Sequence, residues 1–347
     1  MRNILNILKK FIRRLLVACR LHKAWYRWLE LKGRRFCRQN PSAYDFVWVA
    51  NEDHKDWILD GIARDVGRHM RLSQVLARYP APLPPARTYF VLMHNYLPAY
   101  VRSNPWLLTR RTIVYFTHRE KAGVAWRELV DLFNRIEYVV CMNSRDRDCL
   151  VAAGVKEQKV RTIIGGADPA VFKPHTRGGG AVGFCSSYYA RKNPATVEAI
   201  VRAMPGTKFI LLGRNWERYG NWNRMKNLVN LEYVVVPYRQ YPEWYEKMDV
   251  FVSPSLLEGG PIPLLEAMFC NAVPVASRTG FAPDVIRHGV NGYLHDIGAP
   301  ADEICRQIKT ALNFNGDIRS SVLKYSWDSF ARELVNLTVS PERCPGL

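Results

Sequence analysis

Short runs of apolar residues, each the length of a buried strand, recur along the chain between stretches with helical periodicity. Runs of this kind, bounded by turn residues, are typical of strands that are covered on both faces. Strands that alternate with helices predict parallel sheets. The predicted strands lie at 44–50, 88–93, 112–116, 136–142, 181–185, 208–212, 231–237, 249–253 and 272–276.

Helices are predicted where apolar positions are spaced three and four residues apart, at 57–70, 194–204, 243–248, 301–313 and 327–337. With 347 residues, the chain is long enough for two α/β domains with separate cores. We predict a basic segment at 1–40, one Rossmann-like domain at 41–175 and a second at 176–325. Residues 326–347 are expected to form a helix that crosses back to the first domain. Gly178-Gly179-Gly180 predicts a flexible hinge between the domains.

Residues 3–20 combine an apolar face with a basic face, which is the pattern of an amphipathic helix. Lysines and arginines interrupt its apolar runs, so it resembles neither a membrane-spanning helix nor a signal peptide. Residues 1–40 hold 12 Lys and Arg and one acidic residue, hence +11 of the net charge of +19. With Trp25, Tyr26 and Trp28 nearby, residues 1–30 are predicted to bind an anionic membrane surface. The alternative is a helix packed on its own protein with a solvated basic face.

Nucleic acid is another anionic partner, but the sequence contains no nucleic-acid-binding motif, so we predict no such partner. The eight cysteines are scattered and include no Cys-x-x-Cys pair. This usage indicates reduced thiols in a cytosolic compartment and no structural zinc site.

The stretch 249–295 concentrates the candidate chemistry. A strand, at whose end Glu258 is expected, is followed by the turn Glu258-Gly259-Gly260-Pro261 and then by a helical pattern. The unpaired amides and the dipole at a helix N-terminus favour an anion such as a diphosphate. Glu266 lies eight residues after Glu258, about two helical turns away. Taken alone, two glutamates at this spacing are common. Without further context, Glu258 is compatible with a loop charge and Glu266 with a solvated helix residue.

Glu258 and Glu266 also resemble the E-x7-E signature of retaining glycosyltransferases with the GT-B fold, especially glycosyltransferase family 4. The segments that follow resemble that family in the same order: Glu266-Ala267-Met268, Pro274-Val275-Ala276-Ser277, Gly280, Asp284-Val285-Ile286 and Gly289-Val290-Asn291-Gly292-Tyr293-Leu294. The resemblance implies an α/β fold with two Rossmann-like, doubly wound domains facing across a cleft. It also implies hexosyl or deoxyhexosyl transfer, with retention, from a nucleotide-diphosphate sugar to a glycan or lipid-linked acceptor. No metal and no cofactor besides this co-substrate are implied.

The same resemblance assigns donor-binding residues in the second domain. Arg191 and Lys192 resemble the basic pair that holds the donor diphosphate, although Arg191 is also compatible with a solvated surface charge. The family's usual arginine position, six residues before the lysine, is occupied by Ser186. The strand ends that flank the nucleotide base in the family carry Gly213, Arg214 and Tyr238 here.

Roles within the central stretch follow from the resemblance as well. Glu266 would hydrogen-bond the ribose hydroxyls, and Glu258 would contact the donor sugar. The amides of Gly259 and Gly260, together with the helix N-terminus, would stabilise the charge on the departing diphosphate. The family's common E-G-F/Y-G loop has become Glu-Gly-Gly-Pro, so Pro261 removes one phosphate donor.

On the acceptor side, His118 resembles the family histidine that lies near the donor sugar and the acceptor. His94 and Asn95 follow the second predicted strand, and Asn51 follows the first. Carboxyl ends of parallel strands meet at one edge, so these three are acceptor candidates. His94 is equally compatible with a structural role. A charged loop after Asn51 replaces the family's glycine-rich loop.

The implied role is bacterial cell-surface polysaccharide or lipopolysaccharide biosynthesis, in the cytoplasm and peripherally on the inner face of the cell membrane. Two alternatives remain open. One is another GT-B sugar-nucleotide enzyme, such as an epimerase. The other is a non-catalytic membrane-binding scaffold that keeps the fold.

Overall fold

The computed structural model describes residues 22–55, 58–118 and 126–339. Contacts divide the chain into two units. The first consists of the residues up to Ile163 together with those from Ala331 onward, and the second is Ile164–Phe330.

The first unit contains a sheet of six strands: β1 (Tyr44–Asn51), β2 (Gln74–Tyr79), β3 (Ala86–Val91), β4 (Arg111–Phe116), β5 (Tyr138–Cys141) and β6 (Val160–Thr162). All are parallel, in the order β2-β1-β3-β4-β5-β6. Val47 pairs with Val75 on one side and with Tyr89 on the other. The strand order reverses between β1 and β3, and the loops after these two strands therefore flank the natural crevice of the sheet.

Helices cover this sheet because its strands are apolar on both faces, as β1 illustrates with residues 46–51 all buried. The helices of the first unit are His22–Gln39, Ile58–Gly67, Leu97–Ser103, Trp126–Phe133 and Ser144–Ala152, with residues 331–339 of the helix Trp327–Val339. Arg111 donates a hydrogen bond to the carbonyl of Thr338 in that last helix.

The second unit also contains six parallel strands: β7 (Val182–Cys185), β8 (Phe209–Leu212), β9 (Leu231–Val234), β10 (Val250–Ser253), β11 (Val273–Ser277) and β12 (Tyr293–His295). Their order is β12-β11-β10-β7-β8-β9, the doubly wound order of a Rossmann fold. Its helices are Pro194–Ala203, Trp222–Met225, Tyr241–Tyr245, Ile262–Phe269, Ala282–Val285 and Ala301–Leu312, followed by the start of Trp327–Val339. The order reverses between β7 and β10, where a nucleotide binds in folds of this kind.

Three strands and one placement differ from the sequence prediction. β2, β6 and β12 were not predicted as strands. Glu258 does not end a strand, because β10 stops at Ser253 and Pro254 follows it. Proline has no N–H for the sheet, and Glu258 therefore lies in the loop beyond β10.

The stretch 175–180 is held to the second unit and is not the free hinge that its glycines predict. The carboxylate of Asp249 accepts from the amides of Gly178 at 3.0 Å and Gly180 at 2.6 Å. Arg177 donates to three carbonyls, those of Asn271, Phe314 and Gly316. The contact boundary accordingly falls after Ile163, before the predicted domain boundary at 175.

The helix His22–Gln39 packs one face on the first unit and exposes another. Tyr26 and Leu29 are buried, and Phe36 stacks on Trp106 with ring centroids 3.9 Å apart. The predicted amphipathic helix at 3–20 lies outside the described residues. Among the helices that are described, none is both long enough and apolar enough to span a bilayer. The cysteines within the described ranges are free thiols.

Candidate active site

The loops after β7 and β10 carry the predicted diphosphate-binding and sugar-binding residues. Both loops begin at the point where the strand order of the second sheet reverses. A cavity at this point is lined by Ser186 and Lys192 from the first loop and by Ser255 and Pro261 from the second. The topology therefore brings two segments more than sixty residues apart to one crevice.

Glu258 is the charged centre of this crevice. It is buried, with 7% of its surface exposed. Lys192 Nζ donates to its Oε1, and Arg191 Nη1 donates to its Oε2 at 2.9 Å. Burial raises the pKa of Glu258, but the positive charges of Lys192 and Arg191 outweigh burial and hold that pKa below its ordinary value. The carboxylate is therefore ionised at neutral pH and bridges the two cations.

Arg191 is a structural link between the loops as well as a charge. Its guanidinium also donates to the carbonyl of Leu257 at 3.0 Å, and its own carbonyl accepts from the amide of Leu256 at 2.7 Å. The guanidinium lies 5.3 Å from the ring centroid of Tyr189. Of the two alternatives for Arg191, a solvated surface charge and a member of the crevice, these contacts favour the second.

The loop after β10 is fixed from behind by two residues that follow β11. Thr279 Oγ1 accepts from the amide of Glu258 at 3.0 Å. Gly280 has φ of +56°, and a Cβ there would lie 2.7 Å from the carbonyl oxygen of Gly259. Only glycine permits this approach. Sequence reasoning included Gly280 in the family resemblance but missed Thr279, whose hydroxyl carried no distinguishing pattern.

The helix Ile262–Phe269 offers fewer amides to an anion than its position predicts. Pro261 and Pro263 have no N–H. The amide of Ile262 donates to Gly260 and that of Leu264 donates to Pro261, at 2.9 and 2.8 Å. The expected anion site at the helix N-terminus is therefore reduced, and the positive side chains of the preceding loop become the main source of attraction.

Glu266 lies in the second turn of this helix and is almost fully buried, with 1% exposed. Tyr238 Oη donates to its Oε1 at 2.5 Å, and Tyr245 Oη donates to its Oε2 at 2.8 Å. Phe172 packs against both tyrosine rings, at 6.3 and 5.8 Å between centroids. Glu266 is therefore not the solvated helix residue of the alternative interpretation. Sequence reasoning named Tyr238 but missed Tyr245, which a helical pattern presents as an ordinary core residue.

The loop after β8 lies against the loop after β7. Gly213 has φ of +144°, and a Cβ there would lie 2.0 Å from the carbonyl oxygen of Ser186. That carbonyl also accepts from Trp216 Nε1 at 2.8 Å. Arg214 is exposed, and its carbonyl accepts from the amide of Tyr188 at 2.9 Å. Ser186 therefore contributes a fixed backbone position at the start of the loop after β7.

In the first unit, His94 and His118 lie at the carboxyl ends of β3 and β4. His94 is buried, and its ring centroid is 4.4 Å from that of Phe116. Burial, with a smaller contribution from His118, lowers the pKa of His94 to about 3. His94 is thus neutral at physiological pH. The side chain of His118 is more exposed than that of His94 and is half-buried. Sequence reasoning did not name Asp146, a carboxylate whose pKa is raised by burial although the hydrogen bond from Asn143 acts in the opposite direction.

The charged loop after β1 is held in place by hydrogen bonds of Asn51 and His54. Asn51 is buried, and its Oδ1 accepts from the amide of Asp53 at 2.9 Å, capping the turn Glu52–His54. His54 Nε2 lies 3.1 Å from the hydroxyl of Tyr96 in the loop after β3. Asn95, next to Tyr96, is half-buried. The acceptor candidates Asn51, His94 and Asn95 thus lie on the two loops that flank the reversal point of the first sheet.

Within residues 22–55, 58–118 and 126–339, no group of three or more His, Cys, Asp or Glu side chains is arranged to hold a metal ion. The prediction that transfer is independent of a metal is not tested by this finding.

Comparison with known proteins bears on the second unit most directly. Residues 181–313 match the family model described as Glycosyl transferases group 1. The Vi polysaccharide biosynthesis protein VipC/TviE of Salmonella typhi is 28% identical over 140 residues, which are 38% of this chain and 24% of that protein. The uncharacterized glycosyltransferase MJ1607 of Methanocaldococcus jannaschii is 34% identical over 101 residues, 27% of this chain and 26% of that protein. The matched stretch thus spans about a quarter of the length of each relative.

The whole chain is similar in structure to Anabaena Alr3699/HepE in complex with UDP and glucose. The TM-score is 0.70 at 14% identity, over 86% of this chain and 100% of that one. Together with the two parallel, doubly wound sheets, likenesses of this kind confirm the predicted α/β fold of the GT-B type.

Proposed function

We propose that this GT-B protein is a retaining glycosyltransferase that uses a nucleotide-diphosphate sugar as donor and a glycan or lipid-linked molecule as acceptor. The observation that carries the proposal is the buried Glu258 between Lys192 and Arg191 at the reversal point of the second sheet. This is where doubly wound folds bind nucleotides, and it lies in the part of the chain that matches the Glycosyl transferases group 1 model.

In the proposed reaction, the bond between the anomeric carbon of the sugar and the diphosphate breaks, and the acceptor hydroxyl oxygen forms the new bond to that carbon. The diphosphate leaves with negative charge, and the proton of the acceptor hydroxyl passes to it. Lys192 and Arg191 stabilise that charge in a site that excludes water, where fixed charges are most effective. The amides of Gly259 and Gly260 add donors, while Glu258 contacts the donor sugar. The two cations must then divide their interactions between Glu258 and the diphosphate.

Other residues bind the rest of the donor and the acceptor. Glu266 accepts from the ribose hydroxyls, and Tyr238 lies beside it. Gly213 and Arg214, at the end of β8, are proposed to flank the base. In the first unit, His118 is proposed to orient the acceptor hydroxyl. The acceptor candidates there are His94, Asn95 and Asn51.

Two similarities support a role in bacterial surface polysaccharide or lipopolysaccharide synthesis with a UDP-linked hexose. One is VipC/TviE, whose name is that of a polysaccharide biosynthesis protein. The other is Alr3699/HepE, which was solved with UDP and glucose. Transfer with retention and without a metal is part of the proposal. NMR of the product should show the same anomeric configuration as the donor sugar. Activity should be unchanged when EDTA is added.

The first test is thermal stabilisation by UDP, GDP, ADP, CMP and dTDP. A nucleotide at 100 times its dissociation constant is expected to stabilise the protein by about 2.7 kcal/mol. Glu266→Ala and Lys192→Ala should each remove the shift. Lys309→Ala, an exposed lysine on the helix Ala301–Leu312, is the matched control and should leave the shift unchanged.

A shift that survives both site variants would contradict the assignment of the site. No shift with any nucleotide would favour the scaffold alternative. Conversion of the sugar nucleotide without any acceptor would favour the epimerase.

We propose in addition that the protein associates peripherally with an anionic membrane on the cytoplasmic side. The helix His22–Gln39 supports this proposal. Trp25 and Trp28 stack with centroids 4.8 Å apart, and both are more than 40% exposed. Lys32 Nζ lies 3.8 Å from the Trp28 ring. Six basic side chains on this helix are exposed: Lys23, Arg27, Lys32, Arg34, Arg35 and Arg38.

The acidic residue of this helix does not cancel that charge, because Glu30 is half-buried and pairs with Arg135 at 2.5 Å. Exposed tryptophans rimmed by cations fit the interface of an anionic bilayer. Sedimentation with phosphatidylglycerol vesicles tests this. The double variant Trp25→Ala/Trp28→Ala should bind less, as should the wild-type protein in 0.5 M salt.

The matched control is Trp244→Ala, because Trp244 forms a similar pair with Lys247, at 3.8 Å, in the second unit. Equal binding by the double variant and the wild type would contradict membrane docking through this helix. Equal binding to neutral phosphatidylcholine vesicles would contradict the role of the basic residues.

A further inference from the structure

Both carboxylate oxygens of Glu266 accept hydrogen bonds from tyrosines, and the two tyrosines have opposite exposure. Tyr238, on Oε1, is 52% exposed, whereas Tyr245, on Oε2, is fully buried. A partner that faces solvent can be exchanged for a ligand. A partner inside the core cannot leave without opening a cavity.

We propose that Tyr238 is a displaceable gate on Glu266, and that Tyr245 is the positioning residue that aims Oε1 at the ligand. In the free protein, the Tyr238 hydroxyl donates to Oε1. When a nucleotide binds, a ribose hydroxyl donates to Oε1 in its place. This inference rests on the proposed function, because it assumes that Glu266 binds the ribose.

The position of Tyr238 suits such an exchange. It begins the single turn Tyr238–Gln240, just beyond the end of β9, and Val235 before it is 57% exposed. Its ring packs at the rim of an aromatic cluster, 5.3 Å from the centroid of Tyr241 and 6.3 Å from that of Phe172. A rotation of the side chain would withdraw the hydroxyl without breaking a strand pairing.

The surroundings of Tyr245 suit the opposite role. Its ring lies between Phe172, at 5.8 Å, and Phe251, at 6.1 Å. Burial, and to a smaller extent Cys185 and Glu266, raises its pKa well above the ordinary value. Tyr245 therefore remains a protonated donor at any working pH and holds Oε2 in one place. With Oε2 fixed, Oε1 is the oxygen left for a competitor.

The exchange has a measurable consequence. A ribonucleotide must displace Tyr238, but it gains the hydrogen bond to Glu266. A 2′,3′-dideoxynucleotide has no hydroxyl with which to compete. The dissociation constant of the dideoxynucleotide divided by that of the ribonucleotide therefore reports on the gate. The diphosphate and the base contribute equally to both constants and cancel in this ratio.

The experiment measures this ratio by calorimetry with UDP and 2′,3′-dideoxy-UDP, or with the nucleotide that binds best. Tyr238→Phe is expected to tighten the ribonucleotide about three- to tenfold and to leave the dideoxy form unchanged, because one competing hydrogen bond is removed. Tyr238→Leu should act in the same direction. Tyr245→Phe should reduce the ratio, because Glu266 loses the donor that orients it.

Tyr233→Phe is the matched control, since Tyr233 donates to Glu217 at 3.0 Å on the surface of the same unit. It should leave the ratio at its wild-type value. An unchanged or smaller ratio in both Tyr238 variants would overturn the gate. If Glu266→Ala still removed the preference for the ribonucleotide in that case, the proposed function would stand. If Glu266→Ala did not change the ratio, or if the wild type bound no nucleotide, the proposed function would fail and the gate with it.

Discussion

A single carboxylate sets the charge of the candidate site. Glu258 lies between Lys192 and Arg191, whose side chains are 14% and 34% exposed. Its backbone is held by Thr279, and the glycine turn after it is held close to Gly280. Removing the charge of Glu258 leaves two cations side by side with no counter-ion. Glu258 therefore offsets the repulsion between Lys192 and Arg191, as a diphosphate bound between them would.

Glu258→Gln is expected to destabilise the protein at pH 7 and to tighten nucleotide diphosphates. Breaking a fully buried ion pair costs about 3–5 kcal/mol, and the partial exposure of Arg191 reduces this to about 1–3 kcal/mol. Because the pKa of Glu258 is lowered from 4.5 in the folded protein, its pairing stabilises the fold above that pH. This contribution is lost as the pH falls through the lowered pKa.

Urea unfolding of the wild type and Glu258→Gln at pH 7 and pH 3 checks the prediction. The difference between the two proteins should be greater at pH 7 than at pH 3, because the contribution of the pairing falls once the pH is below 4.5. Glu303→Gln, on the helix Ala301–Leu312, serves as the control and should match the wild type at both pH values. A difference that stays constant between pH 7 and pH 3 would mean that the ion pair does not stabilise the fold.

The residue types at the site could be predicted from the sequence, but their pairings could not. The order of Lys192, Glu258 and Glu266 along the chain was enough to identify them as a set. The contact of Lys192 with Glu258 joins positions 66 residues apart, and no local pattern encodes it. Tyr245 was missed for the same reason, since its partner Glu266 lies 21 residues further on.

Among the elements, the loop after β7 depends on a glycine outside it. Gly213 follows β8, and its φ of +144° and the nearby carbonyl of Ser186 both exclude a side chain. The loop after β7 can therefore begin at Ser186 in this conformation because residue 213 has no Cβ.

Gly213→Ala is expected to destabilise the protein by about 2 kcal/mol or more and to weaken nucleotide binding, because the new Cβ would displace the carbonyl of Ser186. Gly220→Ala is the matched control. A Cβ at that position meets nothing within 4 Å, and the variant should keep wild-type stability. Unfolding midpoints in urea give the comparison. Equal midpoints for the two variants would contradict the close packing of the two loops.

Strands with continuous apolar runs were predicted, whereas of the four edge strands β2, β6, β9 and β12 only β9 was. β8 is the run FILL, buried throughout, and its prediction is correct within one residue. β2 is a half-buried strand with the sequence QVLARY, which shows no clear alternation. β6 and β12 have only three residues each. Edge strands are short and partly polar, so the hydrophobic pattern that identifies central strands is weak in them.

At the scale of the whole molecule, the two units have separate sheets and separate cores. Composition and length predicted two α/β domains. They did not predict that residues 177–180 belong to the second unit, because Arg177, Gly178 and Gly180 bond to Asn271 and Asp249, which are distant in sequence.

Nucleotide binding is expected to protect the second unit and not the first. A nucleotide at 100 times its dissociation constant stabilises only the unit that binds it, by about 2.7 kcal/mol, or roughly a hundredfold in the opening equilibrium. Hydrogen exchange followed by mass spectrometry should show slower exchange in β7 to β12 and no change in β1 to β6. The nucleoside without phosphates is the control. Equal protection of both sheets would mean that the two units open together.

The division of the chain also fixes the order in which the units are completed during translation. The second unit is continuous in sequence, whereas the first needs residues 331–339, which are made later. Nascent domains fold as their residues emerge. The ribosome therefore synthesises all of β7 to β12 before Thr338. The carbonyl of Thr338 accepts a hydrogen bond from Arg111 in β4. Until then, the first unit lacks the last helical residues of its fold, although most of its residues were synthesised first.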